Sequence, residues 1–222
     1  LSGASLFIKT QRRAVNRQTQ AVTLTAVQIA FTLVKEDVWR ITREDPLGTF
    51  ILSEFLNAKD ADLASLLESA RTLATPEVLE LLVLNSDRQF ASGQYPRALK
   101  TLRLVLTIAE TLNDKAAQAS AWQNTGIGWF FQRDYKQALA AHQRALLLER
   151  QLGRKTEIAR VLISLALTHA TLQQPVLALT EYQQALALYE ALNERGEVAH
   201  TLESIGTLHY EQGDYVKALV QF

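Results

Sequence analysis

Histidines are the residues of this chain best suited to proton transfer or metal ligation, and their spacing decides what they can do. His200 and His209 stand nine apart, which on a helix sends them to different turns and different faces. No HExxH or comparable ligand spacing occurs, and zero cysteines remove disulfides and thiolate metal sites. Acids such as Glu203 read as one-sided charges on a helix surface. Gly126-Ile127-Gly128 comes nearest to a nucleotide fingerprint, but it lacks the third glycine and lies inside a helical pattern, so it reads as a packing feature. No phosphate loop or serine elbow is present. These residues fit structural or surface roles better than catalysis, and neither a metal nor a cofactor is expected.

The elements that position them repeat. Tyr95, Tyr135, Pro175 and Tyr215 stand 40 residues apart, each followed by an Ala-Leu pair, at Ala98-Leu99, Ala138-Leu139, Ala178-Leu179 and Ala218-Leu219. The same spacing returns Leu112, Leu152 and Leu192, then Leu82, Trp122, Leu162 and Leu202. It also returns a small residue at Ser86, Gly126, Ala166 and Gly206. A fixed period in this range means stacked supersecondary units that cannot bury their apolar faces alone. The expectation is a solenoid whose extended surface carries the function, which favours binding over catalysis.

From residue 76 a helical period dominates, with two amphipathic stretches in each repeat. In the second copy Trp122, Gly126, Trp129 and Arg133 share one helical face, and Leu139, His142, Ala145, Leu146 and Glu149 continue a second helix after the Arg133-Asp134 turn. Gly126 and Ala138 let two helix axes approach closely, so antiparallel pairs are expected. Asn113-Asp114, Gly153-Arg154 and Asn193-Glu194 interrupt the pattern between repeats, where a helix C-terminus needs a residue tolerant of positive φ. Pro46, Pro76, Pro96 and Pro175 fall at helix starts, where a missing N–H matters little. Residues 1–45 are less determined: Val22, Ala26, Ile29 and Leu33 keep helical spacing, yet their density of Thr and Val also fits a strand. Residues 46–75 read as capping helices, and 76–222 as an array of about three and a half repeats that stops within its last helix, as a fragment of a longer protein would.

Charge and hydropathy narrow the partners. Lys plus Arg and Asp plus Glu both total 23, so nothing advertises nucleic acid or an anionic membrane. The basic stretch Lys9, Arg12, Arg13 and Arg17 reads as a solvated arm. No apolar run is long enough to span a bilayer, and the Thr-diluted stretch from Ala21 to Val34 does not read as a signal peptide, so a cytoplasmic protein is expected.

The repeat resembles the tetratricopeptide repeat, whose W-x2-L-G-x2-Y pattern and following alanine look like Trp122, Thr125, Gly126, Trp129 and Ala138, and like Leu202, Ile205, Gly206, His209 and Ala218. The GDY-x2-AL run from Gly213 to Leu219 is especially similar. The period of 40 is similar to the longer form found in kinesin light chains, the spindle-orientation adaptor Pins and large bacterial multidomain proteins. Departures are His142 in place of an aromatic, Pro175 in place of tyrosine, and Asn85-Ser86 in the first copy, which reads as cap-like. The resemblance implies an all-α, right-handed superhelix of antiparallel helix pairs, acting as a non-catalytic interaction scaffold.

It also implies that the first helix of each pair lines a concave groove. In the second copy that face carries Gln123, Asn124, Ile127, Phe130 and Phe131; in the third Arg160, Ile163, Ser164 and Leu167; in the fourth His200, Glu203, Thr207 and Tyr210. Such a groove suits a peptide or protein partner, with Phe130 and Tyr210 as aromatic anchors and Asn124 able to clamp a backbone amide. Packing against the adjoining repeat is the competing role for Phe130, Phe131 and Ile127, and plain solvation for Arg160. Val83 and Asp87 stand where chaperone-tail binding would need Lys and Asn, so a C-terminal carboxylate ligand is disfavoured. The alternative function is a regulatory or targeting arm of a larger bacterial protein whose remaining part is an enzyme, such as a caspase-like CHAT protease, or a transcription regulator. Self-association through the apolar C-terminal end is a further expectation.

Overall fold

The computed structural model describes residue 74 and residues 76–221; the segments read above as 1–45 and 46–75 lie almost wholly outside them. Among the described residues eight helices follow one another: α1 (Pro76–Ala91), α2 (Tyr95–Thr111), α3 (Lys115–Phe131), α4 (Tyr135–Leu152), α5 (Lys155–Thr171), α6 (Pro175–Leu192), α7 (Arg195–Glu211) and α8 (Tyr215–Gln221). No strand occurs among the described residues. The first copy, expected to be cap-like, forms a helix pair of 16 and 17 residues like those after it.

The turns show why the chain reverses so regularly. Gly93, Asn113, Arg133, Gly153, Gln173, Asn193 and Gly213 all have positive φ, between 55° and 79°, one after each of α1 to α7. Each sits in the same hydrogen-bonded hook. At Arg133, for example, its N–H donates to the Phe130 carbonyl at 2.9 Å and the Asp134 N–H to the Trp129 carbonyl at 3.0 Å. This is the Schellman arrangement, which satisfies the last carbonyls of a helix and turns the chain at once. Asp114 and Asp134 then open the next helices, their carboxylates accepting from the N–H of Ala117 at 2.9 Å and of Gln137 at 3.1 Å. Pro96 and Pro175 lie in the first positions of α2 and α6.

Left-handed backbone costs an L-residue with a Cβ about 1–2 kcal/mol, and glycine escapes that penalty while losing more freedom on folding. Arg133 is exposed and φ there is 63°. Arg133→Gly is therefore expected to stabilise the fold by about 0.5–1 kcal/mol, read as a higher urea midpoint with an unchanged slope. An unchanged or lowered midpoint contradicts this account of the turn.

Small residues set how closely the helices pack. Ala98, Ala138 and Ala178 at the second-helix starts are 0% exposed. In the first three pairs a small buried residue on the first helix is matched by a large one on the second: Ser86 and Leu102, which line one cleft, then Gly126 and His142, then Ala166 and Tyr182. A Cβ added at Gly126 would overlap the imidazole of His142, whose Cγ lies 2.8 Å from it. Gly128 does the same service between repeats, since a Cβ there would stand 2.9 Å from Leu99 Cδ2. Apolar burial continues across each junction, as in the cluster of Ala166, Ala178, Tyr182, Ile205 and Leu208, which joins α5 and α6 to α7. Polar pairs reinforce the packing within a pair: Thr101 donates to Gln89 at 2.9 Å, and His169 Nδ1 lies 2.7 Å from Glu181 Oε2.

Candidate ligand groove

The first helices α3, α5 and α7 present one row of incompletely buried side chains, spaced as the helical period requires. Ser120, Asn124, Ile127 and Phe131 form it on α3, and Arg160, Ser164, Leu167 and Thr171 occupy the same places on α5. Leu167 is 46% exposed and Phe131 55%, which makes them the accessible apolar surface of this face. His200, Glu203, Thr207 and Tyr210 are exposed on α7, with Tyr210 at 60%.

Several residues expected on the groove are placed differently. Gln123 is buried, so it is not on the solvent-facing row. Ile163, one repeat later at the equivalent place, is half-buried and packs against the cores on both sides of it, among them Tyr182 and Tyr189. Arg160 is held by Glu157 of its own helix at 3.0 Å, so the solvated reading fits its geometry. Ser164 and Thr207 donate back to the Arg160 and Glu203 carbonyls at 3.2 and 2.9 Å, which occupies their only protons. His200 lies 3.8 Å from Glu203, an exposed pair on one turn.

The aromatic residues form a ladder along the edge where each pair turns. Phe90 meets Tyr95 at 5.9 Å, Tyr95 stacks flat on Phe131 at 4.7 Å, Phe131 meets Phe130 edge-on at 5.9 Å, and Phe130 meets Tyr135 at 5.5 Å. Phe130 is therefore half-buried in a structural contact, while Phe131 both bridges to the first repeat and keeps a free face. Tyr210 repeats the motif with Tyr215 at 5.3 Å. The ladder was legible only as a spacing of 36, one period less one helical turn, between Tyr95 and Phe131.

Asn124 differs from its neighbours. It is half-buried, its amide makes no hydrogen bond to another described residue, and it lines an open cleft of about 530 Å³ between α1 and α3. Leu79 and Val83 of α1 and Leu102 and Val105 of α2 supply the apolar wall; Asp114 and Ser120, at the start and on the first turns of α3, supply the polar one. A free amide can donate and accept at once, as a peptide backbone requires. Among the described residues no group of three or more His, Asp or Glu is arranged to hold a metal ion, and no helix is long and apolar enough to cross a membrane.

Residues 157–222 match the family model of the tetratricopeptide repeat. Solved structures similar over most of the chain share the fold. BtubC (BKLC) of P. vanneervenii is 18% identical, with 90% of this chain and 85% of that one covered and a TM-score of 0.63. The TPR-like repeats of a Podosopora anserina protein of kinesin light chain type are 11% identical, with 78% and 89% covered and a TM-score of 0.56. The STAND protein of Pyrococcus horikoshii with a tetratricopeptide repeat sensor is 17% identical, with 89% of this chain and 34% of that one covered and a TM-score of 0.60. No curated protein matches the chain.

Proposed function

The chain being of the tetratricopeptide-repeat type, an all-α repeat solenoid, we propose that it is a non-catalytic scaffold holding a peptide or protein segment along the groove of its first helices. The observation that carries this reading is Asn124, an amide unbonded to any other described residue on the wall of an apolar cleft. A half-buried amide with no partner among the described residues can exchange water for a ligand, so Asn124, beside Leu79 and Val83, is suited to a ligand backbone. Leu167 and Phe131 extend the accessible apolar surface along the same row. A balanced net charge supports a protein partner over nucleic acid.

A second reading, a regulatory or targeting arm of a larger protein, is favoured by one comparison: in the Pyrococcus ATPase, repeats of this kind serve as the sensor of a chain of which the match covers 34%. The two readings use the same groove. The test is a quantitative pull-down comparing wild type, the Asn124→Ala, Leu167→Lys variant, and a variant of the exposed second-helix residues Gln143 and Arg150. Partners expected to use the groove fall at least about tenfold in the first variant and stay in the second. Partners retained by the groove variant and lost from the other place binding on the opposite helices and sink the proposal.

A further inference from the structure

We propose that the cleft between α1 and α3 takes an aliphatic side chain of an extended peptide that carries Lys or Arg beside it. The inference rests on the groove reading above and adds the chemistry of the occupant. The cleft holds about 530 Å³, within the range of ligand-binding clefts; its apolar lining is half-buried Val83 over the buried Leu79, Leu102 and Val105, which form its floor. Burying an aliphatic side chain there contributes the non-directional part of the affinity. Asn124 stands on the opposite wall, where its amide can bind the backbone on either side of that side chain.

The rim sets the sign of the partner's charge. Among the lining residues the charged ones are Glu80 and Asp114, both acidic, and none is Lys or Arg. Asp114 accepts the Ala117 N–H through one oxygen, at 2.9 Å, which leaves its other oxygen available. Arg154 lies within electrostatic reach of Asp114, and that guanidinium is already doubly bonded to Glu149. A cationic residue of the peptide would therefore meet two carboxylates on the cleft rim without a resident competitor among the lining residues. The same charges repel an acidic peptide, including a free C-terminal carboxylate.

The experiment selects peptides from a random dodecapeptide library displayed on phage against the full 222-residue chain, then measures synthetic copies by fluorescence anisotropy. Enriched sequences are expected to pair Leu, Ile or Val with an adjacent Lys or Arg. Their Kd should rise about tenfold or more in the Glu80→Gln, Asp114→Asn variant, in which the introduced amide still caps α3, and between about 50 and 500 mM salt. Asn124→Ala should weaken them as well. Enriched peptides that are acidic or uncharged, or that bind the charge variant equally, overturn the inference, while sensitivity to Asn124→Ala alone leaves the groove reading standing. Binding untouched by both Asn124→Ala and Val83→Arg, or no enrichment at all, overturns both. A dimer in light scattering that Val83→Arg dissociates, with no peptide bound, assigns the cleft to a second copy and also overturns the inference. Circular dichroism of each variant guards against misfolding.

Discussion

Replacing Arg154 by alanine should lower the stability of the array by about 2–4 kcal/mol, although the arginine side chain is 36% exposed. Its partner decides the effect. Glu149 is 1% exposed near the end of α4, and Arg154 at the start of α5 holds both its oxygens, Nε to Oε2 at 2.8 Å and Nη2 to Oε1 at 2.6 Å. A carboxylate at a helix C-terminus already faces the negative end of the helix dipole, so without the guanidinium it is buried, unpaired and repelled. Partial solvent access to the arginine places the expectation below the largest losses seen for buried pairs. The double variant Glu149→Ala, Arg154→Ala should recover most of the loss, because Ala109 occupies the equivalent place one repeat earlier and is 0% exposed. Urea unfolding of the two single variants and the double one reads this as a coupling of more than about 1 kcal/mol. Additive losses would show that the pair is held by something other than mutual need.

That pair also marks where the sequence stops being informative. Several turns are legible because a left-handed residue, a capping carboxylate and a helix-starting proline each have a local chemical signature, as at Asn113, Asp114 and Pro175, whereas the left-handed Gln173 carries none and follows from the 40-residue period alone. It exposes the packing seam as well: Ala138 and Gly126 are small because another helix lies against them. Glu149 read from the sequence as one more position of an amphipathic helix, since periodicity reports which face a residue occupies and not which partner closes over it. Gln123 shows the same limit in the other direction. It is polar and next to Asn124, which reads as a groove position, yet a rotation of about 100° per residue takes it off the exposed row and leaves it buried.

The candidate site divides in the same way. Leu167 and Tyr210 stand exposed where the resemblance put them, because helical phase alone places them there. Phase separates Phe130 from Phe131 by about 100° but does not say what covers either ring. Their roles depend on Tyr95 and Tyr135, which arrive from two different repeats and cover one ring more than the other. The cleft beside Asn124 needs three helices to exist at all, α1, α2 and α3, and no single stretch of sequence contains it. A groove assembled in this way inherits the rigidity of its junctions, so the small residues that fix helix spacing also fix the width of the cleft.

One of those junctions makes the fold acid-sensitive. His142 is 1% exposed against Gly126, its Nδ1 has no hydrogen-bond partner among the described residues, and burial lowers its pKa from 6.5 to about 4. The imidazole is neutral in the folded chain and must stay so. Between those two values the unfolded chain binds the proton and the folded chain does not, so stability falls as pH drops through 6.5 toward 4 and levels off below that. The full contribution is about 3 kcal/mol, from roughly 1.4 kcal/mol per unit of pKa difference. His142→Leu should remove this part of the pH dependence, since Leu102 fills the equivalent place in the first repeat and is 1% exposed. Urea unfolding of both proteins at about pH 7.5 and near pH 5 separates the contribution from every other titrating group, because only the difference between their losses belongs to His142. Wild type should lose about 2 kcal/mol more than the variant over that interval. Parallel losses would mean that the folded imidazole does accept a proton, and that the space beside Gly126 admits water or a partner for it.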